Sequence, residues 1–207
     1  MKRLTTSLLA GFVAAFLTLA TMVSAQAQEA PDAMIKRVAT DVLTTLKSDK
    51  DLQAGNKKKL YDLIDTKIAG NFDFTRMTAL AMGRSWRTAT PEQQKVLADE
   101  FKQLLVRTYS GALQNFSNHV MDFKPLKMTA TDTDITVRTT VTAPGGQPIS
   151  IDYSMEKTGA TGGTWKAYDV VVGGVSLVTN YREEFNNSVR DAGVDGLIKQ
   201  LQAKNRA

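Results

Sequence analysis

From Pro31 to about Asn118, apolar residues return every three or four positions, the spacing of one helix face. Ile35, Val38, Val42 and Leu46 form a first stripe. Leu60, Leu63, Ile64 and Ile68 form a second, after a break at Ala54-Gly55-Asn56. The best-marked helix opens at Thr90-Pro91-Glu92-Gln93. There Thr90 is placed as N-cap, Pro91 as the first helical residue, and Gln93 to close a capping box. Its apolar face reads Leu97, Phe101, Leu104, Leu105, Thr108, Ala112 and Phe116. Met77, Leu80 and Met82 mark a short methionine-rich helix before it.

From Val120 the period changes to two, the signature of strands with one buried face. Ile135, Val137, Thr139 and Val141 alternate with Thr136, Arg138, Thr140 and Thr142. Ile149, Ile151, Tyr153 and Met155 alternate with Ser150, Asp152, Ser154 and Glu156. Pro144-Gly145-Gly146-Gln147-Pro148 joins these runs as a hairpin, and Gly159 to Gly163 joins the second to Trp165–Val172. With a first strand near Met121 to Thr129, the pattern predicts a four-stranded antiparallel meander. Gly173-Gly174 ends it, and helical spacing resumes at Val178, Tyr181, Phe185 and Val189. A final short helix carries Val194, Leu197, Ile198 and Leu201. The expected class is α+β, with a helical layer on a curved four-stranded antiparallel sheet. Helices that cannot close fully on a curved sheet leave a cone-shaped apolar pocket between the layers.

The first residues bear on compartment. Lys2 and Arg3 precede an uncharged apolar run from Leu8 to Val23, and Val23-Ser24-Ala25 and Ala25-Gln26-Ala27 follow. This order of charge, apolar core and small residues predicts a cleavable secretory signal over residues 1–27. The run is shorter than the ~20 residues a spanning helix needs. Cleavage after Ala25 or Ala27 leaves one domain over 28–207, soluble and exported, large enough for a core and a pocket.

There are no cysteines, which excludes disulfides, thiolate catalysis and Cys-based metal sites. The charge of +5 becomes +3 once Lys2 and Arg3 are removed, and it is spread along the chain. No nucleic-acid partner is expected from it. The only basic run, Lys57-Lys58-Lys59, lies at a helix start and reads as a solvated face or a weak contact for headgroups or an acidic partner. Nothing argues for an obligate oligomer, so a monomer is expected.

Catalytic constellations are lacking. The single histidine, His119, has no second His and no neighbouring Glu, and no G-x-S-x-G turn or phosphate-binding loop occurs. Among the acids, Asp152 and Glu156 fall opposite Ile151 and Tyr153 and are expected to face water. Asp169 sits in an otherwise apolar strand end, where a carboxylate accepting backbone or Arg hydrogen bonds is expected. No enzyme and no cofactor are predicted. On the residues alone, an adaptor whose groove binds apolar protein segments stays open.

Three segments carry a resemblance. They are Phe72-Asp73-Phe74 running into RMTALAMGRSWRTATPEQ (76–93), YDVVVGGVSLVTNYR (168–182) followed by Phe185, and Val194-Asp195-Gly196-Leu197-Ile198 leading to Gln200-Leu201. In order and spacing they resemble the MlaC or toluene-tolerance family of periplasmic phospholipid shuttles. Gly173 departs from the pattern, where family members often carry an acidic residue. The resemblance implies a deep pocket for acyl chains and a role in outer-membrane lipid asymmetry. It also implies two docking partners: an outer-membrane lipoprotein complex and the substrate-binding ring of an inner-membrane ABC transporter. Lipid contacts are then expected from Met77, Leu80, Leu105 and Tyr109 on the helices and from Val137, Ile151, Tyr153 and Val171 on the sheet. Ordinary core packing is equally open for each of them. Arg182 or a Lys is expected near the headgroup.

Overall fold

The structure is a computed structural model, and it describes residues 29–115, 118–159 and 163–206. The expected signal segment, Phe116 of the long helix and the tip of the second hairpin lie outside the described residues. Among the described residues, six α-helices and five strands follow one another. Helices α1 (Pro31–Ser48), α2 (Lys50–Gln53) and α3 (Lys57–Leu63) come first, with Gly55 at φ 86° making the break between α2 and α3. A π-helical turn (Ile64–Ile68) and a 3-10 turn (Ala69–Asn71) lead into α4 (Phe74–Met82). Helix α5 (Pro91–Asn115) starts as the pattern predicts: Gln93 N–H donates to Thr90 Oγ1 at 3.2 Å, and Thr90 N–H to Gln93 Oε1 at 2.9 Å.

The sheet then runs β1 (Val120–Phe123), β2 (Asp134–Thr142), β3 (Ile149–Lys157), β4 (Trp165–Val172) and β5 (Val175–Ser176), all antiparallel and in chain order. The four-strand expectation is corrected to five. Gly173 and Gly174 take φ 57° and 87°, the conformation of a two-residue hairpin turn, and fold the chain back on β4 for two residues. The first strand is also shorter than expected and ends at Phe123. The last helix, α6 (Leu177–Arg206), is broken at Gly193 (φ 70°, ψ −178°), which separates the two helical stretches that the spacing predicts.

Among the described residues, buried apolar side chains gather in four clusters. The largest joins α4, α5 and both parts of α6 around Met77, Leu97, Phe101, Phe185, Leu197 and Leu201. Phe101 packs edge-on against Phe185 (5.0 Å) and Tyr181 (5.1 Å). A second cluster fills the space between α1, α2, α3 and α5, with Val42, Leu46, Leu60 and Leu63 at its centre. Two more cover the inner face of the sheet: Val137, Met155, Trp165 and Ala167 under Met34 and Ile35 of α1, and Val141, Ile151 and Val170 beside Leu177. The predicted face of α5 holds as far as Leu105, then turns outward, with Thr108 and Ala112 exposed and Ser110 buried. Among the described residues no helix is long and apolar enough to cross a membrane.

Candidate functional site

The eight expected contact residues fall into two walls and one exception. Met77 (1% exposed), Leu80 and Leu105 belong to the α4–α5–α6 cluster. Tyr109, one turn beyond Leu105, is 37% exposed. Its hydroxyl is pushed above the usual tyrosine range, first by desolvation and then by the Tyr181 hydroxyl it bonds. On the sheet, Val137 belongs to one inner-face cluster, Ile151 to the other, and Tyr153 packs against both.

Val171 is the exception. It pairs with Asp152, whereas Tyr153 pairs with Val170, and cross-strand partners share a face. Val171 therefore lies on the side opposite Ile151 and Tyr153. A β-bulge explains this: the β3–β4 register shifts between Ser154 and Met155, so Ala167 pairs with Met155 but Asp169 with Ser154. One extra residue reverses the alternation, and Val170 takes the inner position that strict alternation assigns to Val171.

Phe72 is the residue that periodicity missed. It sits between a 3-10 turn and α4, yet it packs against the helical cluster and both sheet clusters. Main-chain pairing holds it: Phe72 bridges to Ala167, and Asp73 N–H donates to Ala167 O at 2.8 Å, covering part of the open edge of β4. Its ring stacks on Phe74 at 5.9 Å. Its place in the Phe72-Asp73-Phe74 motif was the available signal.

Tyr153 combines two properties. Its surroundings desolvate the hydroxyl strongly enough to push it up to about 12, with Thr139 as hydrogen-bond partner. Yet the side chain is only half-buried. Thr139 itself is 1% exposed and donates to Ile151 O at 2.7 Å.

The polar candidates are occupied structurally. Asp169 accepts from the Val178 amide (3.1 Å) and the Ser176 hydroxyl (2.5 Å), fastening the start of α6 to β4. Glu156 does not face open water, a correction to the alternation reading. It pairs with Arg76, which also reaches Asp134 (3.3 Å) and lies 4.0 Å over the Tyr168 ring. Burial raises the Glu156 carboxyl, with Arg76 opposing and Asp73 and Asp134 adding to the rise. Lys58 pairs with Asp62, and Lys59 with Asp49 and Asp51, so two of the three lysines in the basic run already have intramolecular partners. Arg182 donates to Leu80 O at 3.3 Å.

Two surface grooves flank α5, of about 410 Å³ and 520 Å³, lined by mixed polar and apolar residues that include Asp99 and Lys102 in both. None of the eight expected contact residues lines either groove, so neither is the deep apolar pocket expected between the layers.

A family model described as MlaC protein matches residues 36–203. A solved structure of a phospholipid-binding protein from Ralstonia solanacearum, in complex with a phospholipid, superposes with a TM-score of 0.77. The two are 42% identical, over 87% of this chain and 98% of that one. The toluene tolerance protein ttg2D of Pseudomonas putida is 27% identical over 171 residues, 82% of this chain and 77% of its own. The intermembrane phospholipid transport system binding protein MlaC of Haemophilus influenzae is 20% identical over 179 residues, 86% and 84% of the two chains.

Proposed function

This chain belongs to the MlaC family, and we propose that it is a soluble periplasmic phospholipid carrier that shuttles lipid between the outer and inner membranes and so maintains outer-membrane lipid asymmetry. The observation that carries this reading is the 42% identical relative, of which this chain covers 98%, whose structure holds a phospholipid. The family's named members are binding and transport proteins rather than enzymes. In this reading residues 1–27 are a signal removed on export and 28–207 form the binding domain. A monomer would exchange lipid with an outer-membrane lipoprotein complex and with the substrate-binding ring of an inner-membrane ABC transporter.

The tails lie between the helical wall of Met77, Leu80, Leu105 and Tyr109 and the sheet wall of Val137, Ile151 and Tyr153. Phe72 joins the two walls, and Val170 replaces Val171. Tyr153, which packs against both sheet clusters, stands at this junction in the proposal. The energetics explain why a carrier is needed. A diacyl lipid exposes roughly 30 methylene groups at ~0.8 kcal/mol each, so crossing water unaided costs on the order of 20 kcal/mol. An interior as apolar as a bilayer removes most of that cost, leaving loading and unloading nearly balanced. No bond need form or break.

Native mass spectrometry of the mature protein, purified from the periplasm without detergent, tests the proposal. A mass excess of one phospholipid, lost on denaturation, is expected. An unliganded mass, with no uptake from vesicles, would instead favour an adaptor that binds apolar protein segments. Ile151→Trp is expected to fill the space beside Tyr153 and lower the lipid retained while the fold persists. Undiminished lipid in the folded variant would take Ile151 out of the site.

A further inference from the structure

The apolar inner face of the sheet does not stop at the core. One row of cross-strand partners runs Phe123, Thr139, Ile151, Val172, Val175 across all five strands. Along it exposure climbs from 1% at Thr139 and 9% at Ile151 to 38% at Val172 and 58% at Val175. The adjoining row does the same, from Val141 at 2% to its partner Ile149 at 47%. The buried face that holds Ile151 thus emerges at one end of the sheet, between the start of β3 and the β4–β5 turn. The two connections at that end carry no charge. No charged residue stands between Arg138 and Asp152, or between Asp169 and Arg182, in a chain that is 23% charged.

We infer that this end of the sheet is a membrane-contacting rim, which touches the apolar boundary of a bilayer while lipid moves along the inner face. The inference rests on the carrier reading above. Three observations favour a bilayer over a protein partner. The exposed side chains are aliphatic, with none of the Tyr, Trp or Arg anchors that dominate protein interfaces. The loops can be desolvated cheaply: Pro144 and Pro148 have no N–H, Gly146 N–H bonds Ala143 O (2.9 Å), and Gly173 N–H bonds Ser150 O (2.9 Å). The exposed row is also continuous with the face proposed to hold the tails, so a chain leaving along it meets no ion to displace.

The test uses full-length mature protein, loaded with a fluorescent phospholipid, and vesicles of phosphatidylethanolamine and phosphatidylglycerol. The double variant Ile149→Asp with Val175→Asp should slow transfer to the vesicles about tenfold, because the two carboxylates must be desolvated at the rim. Lipid bound per protein and the melting temperature should be unchanged. Ile149→Thr with Val175→Thr keeps β-branched residues and should fall between, which separates a rim effect from a folding defect. Since the chain has no cysteine, Gln147→Cys carrying an environment-sensitive dye should shift to the blue on vesicles and not with lipid-free buffer. Equal transfer by the loaded wild type and the Asp variant, or no transfer to bare vesicles, overturns the inference even where lipid is bound. That result would assign the rim to a protein partner. A wild type that carries no lipid removes the carrier reading itself, and the rim with it.

Discussion

Tyr153 sets its ring on the inner face of β3 and its hydroxyl against Thr139, and desolvation raises that hydroxyl to about 12. Tyrosine titrates from neutral to anionic. A folded value above the unfolded one near ~10 therefore contributes stability that is whole below pH ~10 and is lost as pH rises toward about 12. Tyr153→Phe should flatten that alkaline loss in urea titrations at successive pH values, and cost roughly 1 kcal/mol at pH 7 for the missing hydrogen bond. A wild-type alkaline slope in the variant would show that the hydroxyl is hydrated in the folded state. Single residues were unevenly legible in the sequence. Val137, Met77 and Leu105 are buried where periodicity puts them, because their elements are regular. Phe72 was not found that way, since its position depends on an edge pairing with Ala167, 95 residues away, that has no local period.

Helices and strands followed the same rule. The capping box of α5 and the division of the last stretch into two helices were readable because both depend on residues a few positions apart. The bulge in β4 and the two-residue β5 were not, because register is settled between strands. Two element-level predictions follow from such details. Gly193 takes φ 70° with ψ −178°, a conformation that side chains resist, so Gly193→Ala should lower stability by roughly 1–3 kcal/mol in denaturant unfolding. Arg76 ties α4 to Asp134 of β2, Glu156 of β3 and Tyr168 of β4. Arg76→Ala would leave Glu156, already raised by burial, facing Asp73 and Asp134 without its cation. A carboxyl raised in the folded state contributes stability at low pH and loses it as pH climbs through the folded value. The variant should therefore gain more stability than wild type between pH 7 and pH 5, by thermal melts in matched buffers. Equal responses would mean that solvent screens the pair.

For the molecule as a whole, lipid should act as part of the fold. A ligand that binds only the native state stabilises it by RT times the logarithm of one plus the ratio of free ligand to Kd. Stripping lipid should thus lower the melting temperature by several degrees, with recovery on reloading, in scanning calorimetry of the two forms. The α+β class and the family were legible from sequence. A pocket between the layers lies beyond such a reading, since apolar periodicity is identical for a filled and a hollow interior. The largest cluster draws Met77 and Phe101 from the first half of the chain and Phe185, Leu197 and Leu201 from its last stretch, with the sheet strung between them. Synthesis delivers these halves in order, so Leu97 and Phe101 wait without their partners until the final helix arrives. The helical core is consequently completed only when the last helix has been made.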